Sequence, residues 1–442
     1  MVIDCSLAVS PSGRERQWAD RRTRLTAAIP PPHTARNPQR NASLKVVVFD
    51  LLAYGEHLDH LKTGGELPYP LAGRHFKPEV AVRTYAEHLD AWELIDQLGY
   101  DGLGFNEHHC SPYGLMNSPN LMAASAAQRT KQVKLLIYGN LLPLHEPLRL
   151  AEELAMLDCL SNGRLICGFA RGIPREYQVH NVPLSDSRAR FEEAFEIVTR
   201  AWSEEVFSYQ GRFWSYKDVA LWPRPVQQPR PEIWTPVVSS KESIEFAARN
   251  DIRITPGLAP GGLQDDIIAY YAKCLAANGR RITPDHLSVG VNVYVANSRA
   301  DAIRECGPYL LYFNRTLFSH GNFTETSMQR ETGYSTSSST DYVRPENLRA
   351  AEFNRGDFRN MTEADVEKIA ERLPWGTPAE VADKIIRLAE HTGAGTVQIN
   401  FNRGAMPQEM FVEQIKRFAR DVLPIVQAHQ ITTVPAADAQ AA

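Results

Sequence analysis

The sequence is short of several things, and each shortage removes a class of function. No apolar run approaches the roughly 18 residues that cross a bilayer, so no membrane helix is expected. Basic residues do not outnumber acidic ones. The 48 Lys plus Arg against 52 Asp plus Glu leave a formal net charge of −4, without the basic stripe a nucleic-acid partner needs. Six cysteines in 442 residues (Cys5, Cys110, Cys159, Cys167, Cys274, Cys306) include no C-x-x-C pair. They read as free thiols of a reducing compartment, so a cytoplasmic location is expected and a disulfide or zinc framework is not. No G-x-G-x-x-G follows the first apolar strand: Leu44–Leu52 runs into Ala53-Tyr54-Gly55-Glu56, which argues against a doubly wound dinucleotide sheet.

What remains is a globular composition, 43% hydrophobic and 23% charged. Residues 1–43 stand apart, rich in Arg and Pro and without apolar periodicity. They lack the apolar core and cleavage site of a secretory signal, and a disordered arm is expected. From Leu44 the chain alternates. Strand-like runs at 44–52, 100–109, 133–143, 164–172, 232–238, 252–256, 286–296 and 396–403 are separated by helical periodicities such as Val82, Tyr85, Leu89, Trp92 and Ile95. Eight such units close most naturally into a (β/α)₈ TIM barrel over residues 44–428. Two stretches break the rhythm: an excursion at 206–231 before the fifth strand, and a polar insertion at 316–374 after the seventh. The insertion is expected to be a mobile lid or a disordered loop, and 429–442 a flexible tail.

Barrel chemistry sits at the C-terminal ends of the strands. The second strand ends in Asn106-Glu107-His108-His109, where extended backbone points the two imidazoles apart. One of them is a candidate proton-handling group; a metal reading needs ligands at other strand ends, and strands five and six offer none. The fourth strand ends in Ala170-Arg171-Gly172, where a guanidinium either holds an anion or pairs with a rim carboxylate. Ser239, Ser240 and Ser243 surround the next helix start, as caps or as caps that also hold a phosphate. Gly139, after Tyr138 in the third strand, permits close backbone approach or marks a barrel corner.

These pieces, in this order, resemble the bacterial luciferase-like flavin-dependent monooxygenases. The run Asn106-Glu107-His108-His109 with Tyr113-Gly114-Leu115 and Asn117-Ser118-Pro119 resembles the family's E-H-H segment with its F-G-L and N-P. Leu142-Pro143 through Pro147 and Arg149, Leu157-Asp158 through Ser161-Asn162-Gly163-Arg164, Gly168 through Arg171-Gly172, Ser187-Arg188-Ala189 and Gly376-Thr377-Pro378 resemble its further motifs. The similarity runs from Leu44 to Val426.

The resemblance implies a (β/α)₈ fold, usually a homodimer, acting on a small organic substrate. It implies reduced FMN (FMNH2) supplied by a separate flavin reductase, and O₂ as co-substrate reacting through a flavin C4a-peroxide. Carried over by position, His108 matches the active-site histidine and Arg171 the FMN-phosphate arginine, with Arg188 a second basic residue near it. Ser240 and Ser243 match phosphate-binding hydroxyls, and Tyr138-Gly139 the strand beneath the isoalloxazine, where a non-proline cis peptide can occur. Ala170 stands where luciferase has a cysteine, and Ser239 where it has an acidic residue, so light emission is not implied. A deazaflavin-dependent dehydrogenase of the same fold and a non-catalytic flavin-binding subunit are the alternatives.

Overall fold

The computed structural model describes residues 43–256, 261–320, 337–348, 358–402 and 404–435. The expected arm, but for Ser43, and residues 436–442 of the expected tail lie outside them. Eight parallel strands carry the fold: β1 (Lys45–Asp50), β2 (Gly102–Phe105), β3 (Lys134–Ile137), β4 (Leu165–Ala170), β5 (Glu232–Val237), β6 (Arg253–Pro256), β7 (Ser288–Asn292) and β8 (Thr396–Asn400). Hydrogen bonding runs β7-β8-β1-β2-β3-β4-β5-β6, and the parallel bridge Ile254–Leu287 joins the two ends. The result is a nearly closed TIM barrel.

Alternation along the strands builds two cores. Val46 and Val48 of β1 face outward into the large core between sheet and helices. Val47, Leu136, Ile166 and Trp234 face inward as a separate cluster, with Tyr138 packed on it. Near the Tyr138 phenol the interior turns polar, where Gln398 donates to Thr255 at 3.1 Å and to Ser288 at 2.8 Å.

Helices α1 (Pro78–Gln97), α2 (Pro119–Arg129), α3 (Pro147–Ser161), α4 (Ser187–Ser203), α5 (Lys241–Arg249), α6 (Gly262–Ala277), α7 (Arg299–Tyr312), α8 (Pro378–Thr392) and α9 (Gln408–Asp421) surround the sheet. Several start on proline, whose missing N–H costs nothing in a first turn. Thr377 caps α8 in a reciprocal box with Glu380, and Gly393 ends it in a left-handed turn.

The irregular stretches are more regular than the sequence suggests. The excursion is an antiparallel hairpin, Phe207–Gln210 against Ser215–Val219. Its turn is latched to α4 by Glu193, which accepts the backbone N–H groups of Arg212, Phe213 and Trp214. The seventh run divides: after β7, Tyr294–Val295 leaves the barrel and pairs with Trp375–Gly376. Gln414 of α9 holds that departure by bonding both the N–H and the carbonyl of Val295.

Within the insertion, residues 321–336 and 349–357 lie outside the described residues. The rest carries a π-helical turn at Phe313–Phe318, a 3₁₀ turn at Ser337–Thr340 and a helix at Glu363–Arg372, so these parts are not structureless. The expected flexible tail is corrected over 429–435. Leu44 donates to the His429 carbonyl at 2.8 Å, and Ile431 and Val434 are buried.

Candidate active site

Two groups of side chains form at the C-terminal mouth of the barrel. The first begins where β4 ends. Arg171 follows the strand directly and places Nη1 3.5 Å from the Ser187 hydroxyl at the start of α4. Arg188, one residue on, sends Nη2 across to α5, donating to Ser240 Oγ at 3.2 Å and Ser243 Oγ at 3.0 Å. Arg188 thus reaches Ser240 and Ser243, while Arg171 meets Ser187.

Ser240 stands at the N-cap of α5, yet its side chain does not cap the helix. The hydroxyl donates instead to Glu242 Oε2 at 2.7 Å, and Ser339 of the insertion donates to the other carboxylate oxygen at 2.9 Å. Burial alone would raise the Glu242 carboxyl; the two hydroxyls and the nearby Arg188 charge outweigh it and hold the acid below its ordinary range. The acidic side chain absent at Ser239 is thus supplied three residues later. Ser239 contributes its carbonyl, which accepts from Tyr342 at 2.9 Å, and Lys241 pairs with Asp341 at 2.8 Å. The insertion's polar run is bound to the head of α5 through these contacts.

The second group begins where β2 ends. The adjacent histidines take different carboxylates, as alternating backbone directions require. His108 Nδ1 lies 3.0 Å from Glu176 Oε1, in the short helix Pro174–Val179, and its ring meets Tyr113 edge-on at 4.9 Å. Glu176 is only 2% exposed, and its second oxygen accepts the Ile173 N–H at 2.8 Å. Gly172 makes that return possible. Its φ is +81°, and a Cβ there would lie 2.9 Å from the same carboxylate.

His109 Nε2 bonds Glu107 at 3.0 Å, and His145 Nε2 reaches the same oxygen at 2.9 Å. Asn140 and the Leu141 N–H complete the shell. Burial works to raise the Glu107 carboxyl, but the two imidazoles more than reverse it, and its pKa falls to about 2. Burial likewise depresses His145, and Glu107 overcomes that and raises it. Glu107 therefore ties the end of β2 to the residues just beyond Tyr138–Gly139.

The Tyr138–Gly139 peptide is cis, and Asn140–Leu141 pairs with Phe169–Ala170 of β4. The close approach at Gly139 is to protein: an added Cβ would sit 2.8 Å from the Gly168 carbonyl. The Tyr138 side chain turns down into the barrel interior, and burial raises its phenol.

The structure puts His108, Arg171, Arg188, Ser240 and Ser243 at the mouth and sets beside them Glu176, Glu242 and Ser339, which the sequence reading does not single out. Glu176 had a readable signal, a buried acid four residues after Gly172 on the rim that carries Arg171. Ser339 had none, because a run of serines and threonines carries no pattern.

The model of the luciferase-like monooxygenase family matches residues 64–395. An uncharacterised protein of Sinorhizobium fredii, y4wF, is 39% identical over 39% of this chain and 51% of its own length. The oxygenase component of the flavin-dependent trigonelline monooxygenase of Acinetobacter baylyi is 28% identical, over 52% of this chain and 65% of its own. The chain thus spans between half and two thirds of these relatives. The crystal structure of the monooxygenase RslO1 from Streptomyces bottropensis superposes with a TM-score of 0.65 at 26% identity, covering 86% of this chain and 99% of that one.

Proposed function

The chain belongs to the luciferase-like monooxygenase family, and from that premise we propose that it is the oxygenase of a two-component system. In this reading it takes reduced FMN from a separate flavin reductase and uses O₂ to oxygenate a small organic substrate, as a homodimer in the cytoplasm. The observation that carries the reading is Arg188 bridging Ser240 and Ser243 at the head of α5, beside Arg171, on the same barrel mouth as His108.

The donor set fits the phosphate end of FMN. Guanidinium and hydroxyl groups converging at a helix start suit a compact dianion. Glu242 opposes it, sharing Ser240 with Arg188. Bound reduced flavin supplies the two electrons that activate O₂.

The protein supplies position, proton handling and dryness. Glu176 accepts a hydrogen bond from His108 Nδ1–H, which leaves Nε2 as the nitrogen that takes or gives a proton at the mouth. Tyr113 packs edge-on against that imidazole and joins Phe313 and Leu317 in an apolar cluster that keeps water away from this side of it. The insertion, anchored at Ser339 and Tyr342, acts as the lid.

Mixing the enzyme, preloaded with chemically reduced FMN, with oxygen in a stopped-flow instrument tests the reading. A transient absorbance distinct from oxidised flavin is expected, with oxygen uptake into product when a substrate is found. Direct flavin oxidation with no transient and no product in a broad substrate screen sinks it. Substrate oxidation without oxygen, with a deazaflavin as acceptor, assigns the chain to the dehydrogenases of this fold.

A further inference from the structure

The opposite end of the barrel carries a cavity of about 300 Å³, lined by none of the residues of the mouth. It lies at the N-terminal ends of β5, β6 and β7, beside the seam that the bridge Ile254–Leu287 closes. Its wall is formed by Arg230, Glu232, Asp251, Arg253, Asp285 and His286.

Most of these charges are matched. Arg253 Nη1 lies 2.6 Å from Glu232, and Lys45 Nζ lies 3.3 Å from Asp285. Asp251 lies 3.5 Å from both Arg280 Nε and His286 Nε2. Arg230 differs. Its Nη1 donates to the carbonyl of its own neighbour Pro231 at 3.4 Å, and it forms no ion pair with a carboxylate among the described residues. Burial lowers its pKa, yet a guanidinium stays protonated at any physiological pH. Asp251, on the same wall, acts on it only through space, so this partly buried guanidinium keeps donors that an anion entering from solvent can take.

His286 provides a second donor. Burial keeps its imidazole neutral, and Nδ1 accepts the Thr283 N–H at 3.0 Å, so Nε2 carries the proton. The distance from Nε2 to Asp251 exceeds that of a well-formed N–H···O bond.

We propose that this cavity binds a small monocarboxylate, gripped by the Arg230 fork and the His286 Nε2–H, which ties the loop before β5 to the β6–β7 seam. One unmatched positive charge calls for one negative charge. A dianion would bring its second charge against Asp251 and Asp285. The planar fork favours two coplanar oxygens over a spherical ion.

Acetate is the probe, titrated against chloride at constant ionic strength. Saturation-transfer NMR detects acetate binding, and thermal melting detects its consequence. Wild-type protein should show saturable transfer and a melting temperature raised by about 2 °C at saturation. Arg230→Met should abolish both, and Arg230→Lys, which keeps the charge but loses the fork, should weaken binding severalfold. Circular dichroism reports whether each variant is folded and should give an unchanged spectrum. Absence of saturable transfer in the wild type overturns the proposal, as does an undiminished signal in either variant. Because the readout requires no turnover and no flavin, its failure is separate from any failure of the monooxygenase reading.

Discussion

The imidazole of His108 and the carboxylate of Glu176 meet at 3.0 Å, although they leave different strands and only the histidine reaches solvent. A buried acid that accepts from Nδ1–H fixes the tautomer and the ring plane together.

Loss of Glu176 should therefore act through His108. Glu176→Ala should cut turnover by at least about tenfold, and His108→Ala should cut it as far or further. The double variant should be no worse than His108→Ala alone, since the two groups work as a unit. Glu176→Gln keeps the shape and loses the charge, so it should shift the pH–rate profile while FMN affinity stays constant. An unchanged profile in Glu176→Gln would reduce the pair to a packing contact.

How much of this was legible depends on where the information lies. Strand and helix periods and the residues that follow the strand ends are local patterns, and each lies where the sequence puts it. The departures are long-range. Gln414 draws Val295 out of the seventh run from over a hundred residues away, and Glu193 turns the excursion into a hairpin by taking three N–H groups. Arg188 crosses from the first turn of α4 to Ser240 and Ser243 at the head of α5, a meeting that no spacing encodes. The expected tail folds because Val434 packs on Gly393, where a side chain would have no room.

Acid should loosen the mouth through His320. Its ring is buried against the loop before α1, with Nδ1 accepting from Ser111 at 2.9 Å and Nε2–H directed to the Pro68 carbonyl at 3.3 Å. Burial pushes its pKa down to about 4. A histidine depressed in the folded state binds its proton only on opening, so the stability it contributes is whole above about 6.5 and declines as pH falls toward 4. The protection factor of the Phe313–Ser319 amides, exchange corrected for its intrinsic base-catalysed pH dependence, should fall by up to about tenfold per pH unit across that window, and His320→Asn should flatten the dependence. Protection that is insensitive to pH in the wild type contradicts this.

Glu107 governs a lower window. Its carboxyl is held at about 2 against an ordinary 4.5, so the stability it adds is present above 4.5 and is lost as pH falls through that interval. The contribution is on the order of 3 kcal/mol. Urea unfolding between pH 2 and 7 should show wild-type stability dropping there, with Glu107→Gln already weaker at neutral pH and less steep below 4.5. Equal slopes for the two proteins would mean that another acid carries the transition.

Gly168 should tolerate no side chain. A Cβ there would stand 1.9 Å from the Ile137 carbonyl, a backbone atom fixed in the neighbouring strand. Gly168→Ala must push β3 and β4 apart beside Gly139, at a cost of about 1–3 kcal/mol or more. The expected outcome is a lower melting temperature together with weaker flavin binding. Gly290→Ala, on β7 with open space around it, serves as the control and should change neither.

The sharpest discrimination comes from comparing FMN with riboflavin, which differs only in lacking the phosphate. If Arg188, Ser240 and Ser243 hold that phosphate, Arg188→Met should weaken FMN binding by about ten- to a hundredfold, the loss expected for charge-assisted hydrogen bonds. Its effect on riboflavin should be slight. Glu242→Gln should act in the opposite direction. Its carboxylate now accepts hydrogen bonds from the Ser240 and Ser339 hydroxyls and repels an incoming dianion, so neutralising it should tighten FMN severalfold and leave riboflavin unchanged. Fluorescence titration of the two flavins against wild type and both variants measures all six affinities on one scale. Parallel losses for FMN and riboflavin in Arg188→Met would show that the arginine supports the fold of the mouth and not the phosphate. Weaker FMN binding in Glu242→Gln would show that this acid organises the donors instead of competing for them.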